Sequence, residues 1–334
     1  MQGNVIYLLV MLALFGEYFS TTGTAQVTSD VIEKVKSEAS TSRSTVTAKS
    51  QLIDSLEATV ASFEAMSPFD FVGSCLTQDN FNEDISGLRS IRFRLQYDHA
   101  AELLNWGIEE RGEDGNGAPP ALISFKSLVV RDKKLYVIGG PTDVGASVDS
   151  VDSAIANNGV PLPLFWGIFQ FPYFGKQSED IRLLFGRIMD NESTVVVNQS
   201  GTELTYTLRE RFKNRGPKDF ALNTWKVRLP DHLPLGLRYH QELNAPPELA
   251  GEHEIFWESL ASGVSVPTRI AARLGMARQK DGAYQLGFRE NDANFEWLSV
   301  NSPINNIRDY DLRTEIETSK FVEEGFALAK KRWK

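Results

Sequence analysis

The reactive vocabulary of this chain is small: four histidines and one cysteine among 334 residues. His253-Glu254 opens like the His-Glu pair of a zinc-peptidase helix, but position 257, where the second histidine would stand one helical turn on, is Trp257. His240 and Glu242 stand two apart in an alternating stretch, so both project from one face of a strand. With His253 reaching across a hairpin they would make a metal site or the centre of a hydrolase. The same spacing fits a polar face turned outward, which is the commoner use of the pattern and the preferred reading. Cys75 lies in Gly73-Ser74-Cys75-Leu76 with no histidine beside it to draw off its proton, so it reads as a structural thiol. Gly263-Val264-Ser265-Val266-Pro267 lacks the second glycine of a nucleophile elbow. Gly139-Gly140-Pro141 is a turn, not a phosphate loop, and the paired carboxylates Glu109-Glu110 and Glu323-Glu324 are adjacent and diverge. No catalytic residue, metal ligand or cofactor is therefore assigned. A non-enzyme is favoured, and a hydrolase using His240 and His253 stands as an alternative. Asn191-Glu192-Ser193 and Asn198-Gln199-Ser200 match glycosylation acceptors, which matters only in a eukaryotic host.

Composition narrows the partners. Hydrophobic residues make up 42% and charged residues 24%, enough apolar surface for a real core. The net charge of −9 disfavours nucleic acid, whose phosphates are held by a positive surface. The basic cluster Lys330, Lys331, Arg332 and Lys334 reads as a solvated helix end. Val5 to Phe15 is an unbroken apolar run, too short to span a bilayer, where a helix needs about twenty residues, and suited to the core of a signal peptide. Gly23-Thr24-Ala25 offers a cleavage site after Ala25, although Met1-Gln2-Gly3-Asn4 carries no Lys or Arg. The expectation is an exported protein, periplasmic or secreted, with a retained anchor as the other outcome. A single cysteine forms no intramolecular disulfide, and a chain of this length does not need one.

The elements that would position any site follow from periodicity. Residues 27–66 carry a narrow apolar stripe at helical spacing, weakened at Ser40-Thr41-Ser42-Arg43-Ser44-Thr45 and ended by Ser67-Pro68. From Arg89 the period changes to two: Ile91, Phe93 and Leu95 face one way and Arg92 and Arg94 the other. Leu103 to Glu109 is expected to pair with that strand. Ala121–Val130 and Lys134–Gly139 read as a hairpin. A short helix is expected over Ser147–Asn157, and another from Ser178-Glu179-Asp180 with an apolar face of Ile181, Leu184, Phe185 and Ile188. Between them, Pro161 to Phe174 is the most aromatic stretch of the mature chain, read as a core plug or as a flap lining an apolar pocket. Strands recur over Thr194–Val197, Leu204–Leu208, Trp225–Leu229, Leu235–Tyr239, Ile255–Leu260, Val264–Leu274, Tyr284–Arg289 and Phe295–Val300, with a turn at Asn198-Gln199-Ser200-Gly201. Short links between strands give a meander, not βαβ units. The fold class is mainly β or α+β: a curved antiparallel sheet, an open half-barrel, with a long N-terminal helix, a mid-chain helical insertion and a C-terminal helix. The expected division is 1–25 signal, 26–66 helical, 67–310 β-domain with its insertion near 141–190, and 311–334 helix.

This order of elements resembles the open half-barrel of the LolA/LolB-like carriers of bacterial lipoproteins. Trp225-Lys226-Val227-Arg228-Leu229-Pro230-Asp231-His232-Leu233-Pro234-Leu235 is similar to their strand–turn–strand, and Trp257 through Gly263 to Pro267-Thr268-Arg269-Ile270 resembles the next hairpin. The resemblance spans about Leu88 to Val300 in outline and transfers no functional residue. It implies a concave apolar face that shelters acyl chains, each buried methylene contributing roughly 0.8 kcal/mol. Candidate lining residues are Phe93, Leu95, Trp166, Phe169, Phe171 and Trp225, which serve equally as ordinary core. The functional expectation is an envelope protein binding an apolar ligand or lipidated partner, with membrane-surface contact allowed and oligomeric state open. A non-catalytic structural or interaction protein is the alternative.

Overall fold

Period-two alternation does build this molecule. In the computed structural model the described residues are 42–81, 84–112, 121–131, 133–138, 146–147, 150–158, 160, 166–169, 177–212, 218–243, 249–280 and 283–304. The expected signal segment, residues 26–41 of the expected N-terminal helix, the expected C-terminal helix and Phe171 lie outside them. A helix α1 over Ser42–Glu64 leads into β1, Phe69–Phe81, and β2, Asp84–Asp98. Then come β3 (Leu103–Gly112), β4 (Ala121–Arg131), β5 (Lys134–Ile138) and the two-residue β6 (Ala146–Ser147). Helices α2 (Val151–Asn158) and α3 (Gln177–Met189) form the insertion. Seven more strands follow: β7 (Thr194–Ser200), β8 (Glu203–Arg211), β9 (Phe220–Arg228), β10 (Leu233–Glu242), β11 (Ala250–Ser259), β12 (Ser265–Lys280) and β13 (Ala283–Val300).

All described strands join one sheet in the order β6-β5-β4-β3-β2-β1-β13-β12-β11-β10-β9-β8-β7, each pair antiparallel. The first and last strands of the meander thus meet at the centre, where β1 pairs with β13. The ends, β6 and β7, do not pair, so the curved sheet is unclosed, as an open half-barrel requires. Register shifts at Asp70/Phe71, Thr77/Asp79, Glu110/Arg111, Pro234/Gly236 and Phe256/Trp257 add the local bends that let so wide a sheet curl.

Phe69–Phe81, inside the expected β-domain but assigned no element there, is a strand: Phe69, Phe71 and Cys75 alternate inward despite Gly73, Asp79 and Asn80. Two sequence readings change. Tyr284–Arg289 and Phe295–Val300 are one strand, β13. The polar stretch between them is laddered: Asp292 accepts from Arg269 at 2.8 Å and Glu290 pairs with Arg273 at 3.6 Å. The Asn198–Gly201 turn is tighter than expected, since the strand runs through Ser200 and the reversal falls at Gly201-Thr202, with Gly201 at φ 59°.

The two faces of the sheet differ. The inner face carries the aromatic and aliphatic core, joined by Leu52, Leu56 and Phe63 of α1, Val151, Ala154 and Ile155 of α2, and Leu184 and Ile188 of α3. Each such side chain contributes about 1.5–3 kcal/mol on burial. The outer face is ion-paired, with Arg209–Glu242 at 2.9 Å and Arg238–Glu252 at 3.1 Å. On β1–β3 it becomes a buried network. Arg94 donates to both oxygens of Asp70, at 3.2 and 2.9 Å; Gln96 donates to the same carboxylate at 2.8 Å and accepts from Asn105 at 2.9 Å.

Candidate functional site

The inner face around β1, β2 and β13 is an aromatic cluster. Phe71 sits at its centre, with Trp297 at 4.8 Å between ring centroids, Trp166 and Phe295 at 5.9 Å and Phe93 at 6.2 Å. Most of these meet edge to face, the arrangement ring quadrupoles favour. Gly73 is what lets Phe93 lie flat over β1: a Cβ there would stand 2.5 Å from the Phe93 ring. Trp166 enters from the insertion and packs on Phe295 at 4.4 Å. Its neighbour Gly167, at φ 85°, lies against Pro234, where any Cβ would collide with the pyrrolidine ring. Trp225 on β9 donates its indole N–H to the Ile168 carbonyl at 3.0 Å. Residues 166–169 are thereby pinned to both halves of the sheet.

Of the expected lining residues, the structure therefore brings Phe93, Leu95 and Trp166 together around Phe71 and Phe295, and ties Trp225 to them through Ile168. Leu95 stands beside Phe71 across the β1–β2 ladder. Phe169 packs at the margin, half-buried. Trp166 is 1% exposed, so within 166–169 the aromatic stretch plugs the concave face. Phe71, Phe295 and Trp297 were missed; the signal available was the alternation Phe69-x-Phe71 and Phe295-x-Trp297.

Helix α1 packs against β7, β10 and α3 and is held at its polar points. Thr59 Oγ1 donates to the His232 carbonyl at 2.9 Å, Ser62 Oγ to the Asp231 carbonyl at 3.3 Å, and Lys49 Nζ to the Asp190 carbonyl at 2.7 Å, at the end of α3. Ser55 Oγ lies 3.1 Å from His232 Nδ1. That is nucleophile–base spacing, but Ser55 is 1% exposed and a substrate has no approach to it, so the pair serves to dock the helix. Burial pushes the Lys49 amine down, partly offset by Asp190, and pushes the Tyr206 hydroxyl up.

The hydrolase pair is not assembled. His253 faces inward beside Leu237 and Ala272, whereas His240, three residues from Leu237, faces out with Glu242. Opposite faces of one sheet cannot share a substrate or a metal. Burial holds the His253 imidazole down at about 4, so it is neutral at pH 7. Burial likewise pushes the Cys75 thiol up to about 12, which leaves almost no thiolate to attack anything. Among the described residues no three His, Cys, Asp or Glu side chains converge as a metal site, and no helix is long and apolar enough to cross a membrane.

No protein-family model matches this chain, and no curated protein matches it. Solved structures do. A LolA superfamily protein from Nitrosomonas europaea aligns over 75% of this chain and 94% of its own, at 9% identity and a TM-score of 0.33. A putative outer membrane lipoprotein-sorting protein domain from Vibrio parahaemolyticus covers the same shares at 8% identity and 0.33. A DUF1329 family protein from Desulfovibrio piger covers 73% and 90%, at 14% identity and 0.33. The half-barrel architecture itself is read from the strand order and register of this chain.

Proposed function

We propose that this chain is an exported cell-envelope protein that holds an apolar ligand, or the lipid moiety of a lipidated partner, on the concave face of its sheet. The observation that carries this reading is how that face is covered. A β-sandwich would bury it under a second sheet. Here separate short pieces cover it: α1, α2, residues 166–169 and α3. One of them, α1, is fastened to the β9–β10 turn by side-chain hydroxyls. Each such bond contributes only about 0.5–1.5 kcal/mol net; the larger cost of lifting α1 is exposing Leu52, Leu56 and Phe63, about 1.5–3 kcal/mol each, which the methylenes of an acyl chain, at roughly 0.8 kcal/mol each, offset on binding. The apolar run at Val5–Phe15 supports export. The test is titration of the protein with the apolar dye 1-N-phenylnaphthylamine, expected to give saturable fluorescence that a long-chain lipid displaces. A linear, non-saturable signal would sink the reading.

A second reading, a non-catalytic interaction protein, draws on the tight packing of Phe93, Leu95, Trp166 and Trp225. It is favoured further by apolar side chains left at the surface, Leu183 on α3, Phe256 on β11 and Leu298 on β13. Self-association lost on replacing these with serine, in a protein that binds no dye, would select it.

A further inference from the structure

One lateral row of the concave face carries groups that a plain hydrocarbon has no use for. Across β1, β13, β12, β11 and β10 the row reads Thr77, Asn291, Ala272, His253, Leu237, each directly opposite the next. Thr77 Oγ1 donates to Asn291 Oδ1 at 2.9 Å, which fixes the amide plane. The other end of that amide, Nδ2, is buried with no hydrogen-bond acceptor among the described residues, and Asn291 is 4% exposed. An amide N–H left so costs about 1–3 kcal/mol unless something accepts from it. Next to it stands Ala272, the shortest side chain of the row, and beyond that His253 at 2% exposure. Strands are spaced about 4.8 Å, so Asn291 and His253 stand about 10 Å apart on β13 and β11 with only the Ala272 methyl between them, all three buried. Ile270 and Leu274 flank Ala272 along β12, two residues either way.

We infer that the Asn291–Ala272–His253 slot seats the neutral carbonyl of an acyl ester or amide, with Asn291 Nδ2 as donor to the carbonyl oxygen. The inference rests on the apolar-ligand reading above and names the polar group its ligand carries. Neutrality follows from the charges nearby. Arg289, on the next row of the same face, is committed to both oxygens of Asp79, at 2.6 and 2.8 Å, and Arg89 is paired with Glu110 at 2.7 Å. A carboxylate in the slot would stay uncompensated in a buried site, which is far costlier than seating an ester. His253, uncharged at neutral pH, adds no cation to change this.

The experiment uses the full chain and two competitors of 1-N-phenylnaphthylamine with equal chains, 1-decanoylglycerol and 1-O-decylglycerol. They differ in one carbonyl. The ester is expected to displace the dye about tenfold more tightly than the ether. Asn291→Leu is expected to bind the dye as before and to bring the ester down to the ether. Thr77→Val, which frees the amide to turn, is expected to narrow the preference. Equal displacement by ester and ether in the unaltered protein overturns the inference while leaving the apolar reading standing, and means the amide meets only an ordered water. Failure to bind the dye at all sinks the apolar reading itself. Should Asn291→Leu fail to fold, the ester–ether comparison in the unaltered protein decides alone.

Discussion

Among the described residues three tryptophans donate an indole N–H to a backbone carbonyl, and comparing them tests whether residues 166–169 are tied to the sheet as described. Trp225 bonds Ile168 O at 3.0 Å with both partners buried; Trp257 bonds Pro234 O and Trp297 bonds Pro267 O, each at 2.7 Å, from half-buried rings. Tryptophan to phenylalanine removes the same donor and similar ring area at all three. What differs is the fate of the carbonyl. The Trp257 and Trp297 bonds are part-buried only from the ring side, since Pro234 and Pro267 are themselves buried; with water entering where the ring lies half-exposed, the cost there is that of a net hydrogen bond, about 0.5–1.5 kcal/mol. Ile168 is 1% exposed, and its carbonyl would remain dry, adding a desolvation penalty of about 1–3 kcal/mol. Trp225→Phe should therefore be the most destabilising, by about 1–2 kcal/mol over the other two, measured as the urea midpoint at unchanged m-value. The same variant should open a protease-sensitive site near residue 168. Equal loss across the three, or the largest loss at Trp257, would refute the claim that Trp225 anchors the segment through a buried bond.

Asp70→Ala removes both hydrogen bonds that the Arg94 guanidinium, with its side chain 4% exposed, makes to this carboxylate, and should cost about 3–5 kcal/mol in chemical denaturation; Asp70→Leu with Arg94→Met should recover most of it. Acid should weaken the protein through His253. Its folded pKa, about 4, lies below the ordinary 6.5, so its share of stability is whole above pH 6.5 and is lost as pH falls toward 4. That share is on the order of 3 kcal/mol at most. His253→Leu should flatten this stretch of the stability–pH curve, and an unchanged slope would exclude the imidazole as its source. Cys75 should resist iodoacetamide at pH 8 in the native state and react fully in urea, followed by intact mass; native-state labelling at the rate of a free thiol would contradict its burial.

Most strands and their hairpin order are legible in the sequence alone. Alternation at Phe93-x-Leu95 and Leu235-x-Leu237-x-Tyr239, with turns at Pro230-Asp231-His232 and around Gly263, specifies strands and hairpins because side-chain period and turn chemistry are local properties. Where polar residues entered the strands the signal faded. β1 was hidden by Gly73 and its Asp79-Asn80 end, and the middle of β13 by Glu290 to Asn294. Those residues are strand-compatible only because partners two hundred residues away, or across the next strand, accept them: Thr77 meets Asn291, and Arg269 meets Asp292.

Sequence composition and local pattern determined a meandering β-layer with helical cover and an aromatic insertion. Only the tertiary structure decided that β1 closes on β13, that His240 and His253 look away from each other, and that Trp166 is buried against Phe71 and Phe295. Which face a side chain occupies is fixed by register, and a slip of one residue reverses it. Register is set by the pairing of distant strands, which no local window of the chain contains.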